Sequence, residues 1–208
     1  MKRNLSSKRT CQNALAVTLA LTAFACGGRD PEATAHVYTG DVAGTDVRVG
    51  IIASTHHARV FFCGGASSYM TMTRWLNADI DAGHKLSLPA TPNQYWGLQG
   101  DVADTEIGGT VDMGDSVPRV FRATVVSDRT ISGLYEGTAG CGRLGLIVVQ
   151  PTSDMPAIGQ GACVGPGTTL EQVNPLDPIV RSPDGTITVT VSNWTGERQV
   201  RPATPPAD

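Results

Sequence analysis

The stretch "TITVTVS", Thr186 to Ser192, sets Ile187, Val189 and Val191 on one side and Thr186, Thr188, Thr190 and Ser192 on the other. Only an extended chain, whose side chains point to alternate faces, sorts these residues so cleanly. A strand of this kind needs a partner. Asp177–Arg181 supplies it through the turn signal Pro183-Asp184-Gly185.

The same alternation recurs along the chain. Val47, Val49 and Ile51 share a face in "DVRVGII", as do Phe121, Ala123 and Val125 in "VFRATVV". In "SSYMTMTRW" the set is Tyr69, Thr71, Thr73 and Trp75, with Met70 and Met72 opposite. "RLGLIVVQ", Arg143 to Gln150, is a continuous apolar run, which suits a strand buried on both faces or at a closed seam. Turn chemistry separates these runs at Gly44, Gly64-Gly65, Asp81-Ala82-Gly83 and Gly114-Asp115. Strands about 8–12 residues apart with such punctuation predict a sandwich or barrel. Helical periodicity is confined to Arg74–Ala82 and one turn at Thr168–Val173. The fold expected is all-β: a small antiparallel β-barrel or sandwich over 36–165, a C-terminal β-rich hairpin extension over 166–200, and a disordered tail over 201–208.

"GDVAGTDVRVG" at 40–50 and "GDVADTEIGGT" at 100–110 echo each other at an offset of 60. The sequences diverge at once beyond the echo. It therefore reads as two strand–turn–strand corners obeying the same local chemistry rather than as a duplicated half-barrel.

The N-terminus differs in character. Residues 1–13 carry Lys2, Arg3, Lys8 and Arg9 and no acid, and Ala14–Ala25 is small or apolar apart from two threonines. That segment is shorter than the ~18 apolar residues of a transmembrane helix. A basic start, a short apolar core and the A-x-A site Ala23-Phe24-Ala25 make residues 1–25 a secretory signal peptide. The place before Cys26 also resembles the lipobox of bacterial lipoproteins, in which a small residue precedes a cysteine that becomes acylated. Ala23, where that family usually has Leu, and bulky Phe24 depart from its pattern. The resemblance covers the first thirty residues and implies lipidation at Cys26, with a palmitate-type acyl anchor. Gly27 in the following position resembles lipoproteins sorted to the outer membrane. Residues 26–35 offer no apolar face and read as a flexible tether. Ordinary cleavage would instead release a periplasmic or secreted soluble protein.

Removing residues 1–25 takes away four basic residues and no acid, so the net charge of −3 becomes −7. Such a chain repels phosphate backbones, and nucleic acid is not expected as a partner. Cys11 leaves with the signal, and Cys63, Cys141 and Cys163 remain beside Cys26. An exported chain sits where disulfides persist. If Leu144–Val149 and Ala157–Cys163 form a hairpin, positions summing to about 305 face one another. Cys141 then meets Cys163 and leaves Cys63 a buried thiol. The rival pairing is Cys63–Cys141.

Chemistry-bearing motifs are sparse. "MGDSVPR", Met113 to Arg119, contains Gly-Asp-Ser, but Val117-Pro118 follows where serine proteases need amide donors. It reads as a hairpin turn. His56-His57, with His84, Asp79 and Asp81, are weak candidates for a metal site. Adjacent residues on a strand point opposite ways, however, and the metal assignment is none. Trp75, Tyr95, Trp96 and Tyr135 are candidate ligand-binding residues for a barrel mouth. The lipocalins resemble this chain in length and strand count, although Thr39-Gly40-Asp41-Val42 lacks their Gly-x-Trp corner. The expected function is that of a cell-envelope lipoprotein with a non-catalytic binding or structural role, without cofactors. The alternatives are a lipocalin-like small-molecule carrier and, last, a metal-dependent hydrolase.

Overall fold

The structure is a computed structural model that describes residues 35–206, apart from 168 and 193. Residues 1–25, expected to form a signal peptide, Cys26 and most of the 26–35 segment lie outside the described residues. The described part is all-β: fifteen strands and no helix.

Eight strands form a closed antiparallel barrel. They are β1 (His36–Val42), β2 (Arg48–Ala53), β3 (His57–Cys63), β4 (Arg74–Ile80), β5 (Lys85–Leu88), β6 (Trp96–Val102), β7 (Glu106–Met113) and β8 (Pro118–Val125). Each pairs with the next, and β8 closes on β1 with Tyr38 opposite Val125. Eight strands enclose a space about wide enough for side chains alone to fill. Val49, Ile51, Val60, Phe62, Leu98, Ile107, Val111 and Phe121 fill it here. The alternation of Val47, Val49 and Ile51 is thus the inward face of one wall.

Seven more strands form the second sheet. They are β9 (Gly133–Ala139), β10 (Gly142–Val149), β11 (Ile158–Val164), β12 (Leu170–Val173), β13 (Pro175–Arg181), β14 (Ile187–Val191) and β15 (Glu197–Pro202). Their order is β12-β11-β10-β9-β15-β14-β13. Only Asn174 separates the two outer strands in the chain. One segment therefore pairs with β11 through its first half and with β14 through its second, and the sheet curls back on itself. Leu144, Leu146, Val148, Ile187, Val189, Val191 and Val200 fill its interior. The hairpin through Pro183-Asp184-Gly185 is β13–β14, as the alternation of "TITVTVS" requires.

The apolar run of β10 is buried on both faces, for a reason the topology supplies. Leu144, Leu146 and Val148 face the second interior, while Ile147 meets Ile52, Phe61 and Leu134 against the outside of the barrel. The approach is close. A Cβ at Gly145 would stand 2.7 Å from the rings of both Phe61 and Trp75, so only glycine lets the sheet rest there.

Several expectations are corrected. The barrel closes at Val125 rather than near 165, and residues 166–200 do not form a separate extension but complete one sheet with β9–β11. The tail is tied down through its first residues: Arg201 and Pro202 belong to β15, and the Ala203 amide donates to the Leu134 carbonyl (2.9 Å). Arg74–Ile80 is a strand, not a helix, because Leu76, Ala78 and Ile80 recur at period two into the barrel. Leu170–Val173 is likewise a strand. The alternating Tyr69–Thr73 segment is a series of turns instead, pinned by Asp46, which accepts from the Ser67 amide (2.8 Å) and the Ser68 hydroxyl. The repeated "GDVA" segments are both hairpins, β1–β2 and β6–β7. They lie five strands apart in an eight-stranded barrel, which no half-barrel duplication would produce.

Candidate functional site

Because the barrel strands alternate in direction, the start of β1 and the turns β2–β3, β4–β5 and β6–β7 share one mouth. The chain has four histidines, and all four lie there: His36 opens β1, His56 ends the β2–β3 turn, His57 opens β3 and His84 ends the β4–β5 turn. His36, His56 and His84 are exposed and His57 is half-buried. Hydrogen bonds fix this mouth. Asp81 Oδ1 accepts from the Gly83 and Lys85 amides (2.8 and 2.9 Å), which holds His84 in the left-handed region at φ +58°. The Val102 amide donates to the His84 carbonyl (2.9 Å), and Tyr38 Oη donates to the Ala103 carbonyl (3.2 Å). A cleft of about 200 Å³ opens among His36, Tyr38, Ser54, Thr55, His84 and Asp104. Burial, and then the Asp104 charge, pushes the Tyr38 phenol upward from its ordinary value, so it stays a neutral donor.

Of the expected metal candidates, His57 Nδ1 lies 3.1 Å from Asp79 Oδ1. The set goes no further. Among the described residues no three His, Cys, Asp or Glu side chains converge well enough to hold a metal ion. His56 and His57 are neighbours in the chain with different exposure, and Asp81 spends one oxygen on its own turn. Sequence reasoning passed over His36, since nothing local links it to residues twenty or fifty positions away. Only barrel closure does.

The four aromatic candidates are not brought together. Trp96 is buried in the barrel, its ring centroid 5.7 Å from that of Phe62. Trp75 lies outside the barrel wall, stacked on Phe61 at 4.4 Å, with the Arg143 guanidinium 3.8 Å from its ring centroid. Tyr135 is buried in the second sheet and donates to the Ile131 carbonyl (2.9 Å). Tyr95 is 66 % exposed on the β5–β6 loop. A carrier built on these four would need one cavity, and they occupy four surroundings.

A second polar cluster joins the two sheets. Glu136 accepts from Arg143 Nη2 (2.5 Å) and lies 3.4 Å from Arg59 Nη1. Arg59 also donates to the Thr204 carbonyl (2.7 Å), and the Thr204 amide donates to Glu136 (3.2 Å). Burial works to raise the Glu136 carboxyl, but Arg143, the Thr204 amide and Arg59 outweigh it and hold the group below its ordinary range. The Gly-Asp-Ser segment is the β7–β8 turn. There Asp112 accepts from the Gly114 and Ser116 amides (2.9 and 3.1 Å), and bonding to Arg119 holds Asp115 at about 2.

The cysteines pair as the hairpin argument favoured: Cys141 bridges Cys163, with Cα atoms 5.9 Å apart. The register sums to 307 rather than 305, a slip of two that preserves the face. Cys141 lies in the β9–β10 turn. Gly142, at φ +134°, brings its backbone so near Val164 that a Cβ would stand 2.4 Å from the carbonyl oxygen. Among the described residues Cys63 is the free thiol, fully buried, and burial pushes it up to about 12.

No protein-family model matches this chain, and comparison with curated proteins and with solved structures finds no match.

Proposed function

We propose that the chain is a cell-envelope lipoprotein, held at an outer membrane by acyl chains on Cys26, with a non-catalytic binding or structural role. The observation that carries this reading is the fate of the cysteines. Cys141 and Cys163 use each other, and Cys63 is buried with no exposed surface. Cys63 lies between the two sheets, and a bridge from it to Cys26 would require parting them. In an oxidising compartment Cys26 would therefore have no partner among the described cysteines, and acylation resolves that position chemically. The leader of residues 1–25 and the A-x-A site before Cys26 support export. The packed barrel interior and the dispersed aromatics favour a structural or surface-binding role over a carrier.

Intact-mass analysis of the protein from native membranes tests the reading. The expected species begins at Cys26, carries diacylglyceryl and fatty-acyl mass, and contains one disulfide. A species beginning at Met1, or at an unmodified Cys26, overturns it.

A further inference from the structure

The register of three neighbouring strands sets one aspartate between two arginines. Asp41 on β1 stands opposite Arg48 on β2 and opposite Arg122 on β8. Residues paired in this way point to one face of the sheet. That face is the outside of the barrel, because their chain neighbours Val42, Val49 and Phe121 fill its interior. Two residues along β1, Thr39 stands opposite Thr124 in the same outward set. A cleft of about 530 Å³ lies over these two rows. Val149, at the end of β10, and Val120, an exposed valine on β8, line it as well. Clefts that hold small molecules are commonly about 300–1,000 Å³.

The two arginines differ in what they already hold. Arg122 pairs with Glu106, its Nε 3.2 Å from Oε1. Arg48 is half-buried, and its side chain makes no hydrogen bond and no ion pair among the described residues. A guanidinium drawn part-way out of water keeps its planar fork of donors on offer. We propose that this cleft binds a small monocarboxylate carried on an apolar body, with Arg48 donating to the carboxylate and Val120 and Val149 covering the apolar part. One unsatisfied guanidinium calls for one charge, and its fork matches the two oxygens of a carboxylate. The hydroxyls of Thr39 and Thr124 can donate to the same oxygens. Asp41 and Glu106 balance Arg48 and Arg122, so the cleft has no surplus of positive charge with which to hold a dianion such as a phosphate monoester. The valines would stay in water beside a ligand that is polar throughout. This inference goes beyond the lipoprotein reading and needs no anchor. A fatty acid and the C-terminus of an apolar peptide both carry the required group, and the test separates them.

The test uses residues 26–208 carrying Cys26→Ser, isotope-labelled, and follows backbone amide signals by nuclear magnetic resonance. Octanoate and N-acetyl-valyl-valine are added in turn, each beside its neutral counterpart, octanol or the peptide amide. The expected shifts centre on β1, β2 and β8 around Asp41. At least one acid is expected to bind about tenfold more tightly than its neutral counterpart, and the acid that does so identifies the source. Arg48→Gln is expected to weaken that acid about tenfold. Asp41→Asn removes a competing carboxylate from beside Arg48 and is expected to strengthen it about threefold. Opposite changes at two facing residues cannot come from a general loss of structure, and unmoved amide signals in the second sheet check the fold of each variant. Acids that bind no better than their neutral counterparts overturn the proposal, as does an Arg48→Gln chain that binds as the parent does. Inorganic phosphate that binds as tightly as the acids also overturns it. An unmodified Cys26 in the native mass spectrum overturns the anchor alone, and any of these titration results overturns this inference alone.

Discussion

Glu136 shows how much one side chain can be asked to do. It lies on β9 and takes hydrogen bonds from Arg143 and the Thr204 amide, with Arg59 of the barrel beside it. Because its folded pKa is lowered, its stabilising contribution is present above the ordinary range of a free glutamate, near pH 4.3. It is lost as the pH falls through the lower folded value. Glu136→Gln keeps the shape and removes the charge, leaving two guanidinium groups facing each other. The variant is expected to lose about 1–2 kcal/mol at neutral pH, a half-exposed version of the penalty for an orphaned partner. Its urea midpoint should then change less than that of the parent between about pH 5 and 3, since the titrating group is gone. A variant as acid-sensitive as the parent would remove Glu136 from this role. This cluster was not legible in the sequence, because Arg59 and Glu136 stand 77 residues apart. The Cys141–Cys163 pair was legible, because the β10–β11 hairpin brings the turn before β10 to the end of β11.

At the scale of elements, the disulfide ties the β9–β10 turn to β11 across a separation of 22 residues. Closing a loop of that size removes about 3 kcal/mol of unfolded-state freedom on the chain-entropy account. The double variant Cys141→Ala/Cys163→Ala is expected to fall in stability by about that amount in urea titration. Cys63 supplies a companion readout. With its thiol pushed up to about 12 by burial, it should not react with a disulfide reagent in the native chain. It should appear as a single thiol once residues 26–208 carrying Cys26→Ser are unfolded without reductant. Strands were legible where inward residues alternate, as in β2 and β14. Arg74–Ile80 misled because its charged and aromatic residues mimic one helical turn, while Leu76, Ala78 and Ile80 carry the period of two. The boundary misled for a different reason. The prolines from Pro166 onward mark bends inside the second sheet, whereas the true junction, Val126–Ser132, contains no proline or glycine. Barrel closure is a long-range pairing of β8 with β1, and local turn chemistry carries no trace of it.

At the scale of the molecule, two closed or nearly closed sheets share a wall of buried side chains: Ile52, Phe61 and Cys63 from the barrel, Leu134, Ile147 and Ala162 from the second sheet, and Ala203 beyond β15. A buried aliphatic or aromatic side chain contributes about 1.5–3 kcal/mol, so this wall is worth on the order of 10 kcal/mol. That equals the whole stability of an ordinary domain, about 5–15 kcal/mol. Parting the sheets costs as much as unfolding one, and neither is expected to survive alone. The three tryptophans can report this independently. Trp96 lies inside the barrel, Trp194 packs against the second core, and Trp75 stacks on Phe61 between the sheets. Three variants, each keeping one tryptophan and replacing the other two by phenylalanine, isolate these signals. Each should show a single urea transition, and that transition should coincide with the loss of far-ultraviolet circular dichroism in the same variant. A Trp96 signal that changes well before or after the dichroism would mean that the barrel unfolds separately. The shared wall would then be an ordinary contact between domains rather than part of one cooperative core.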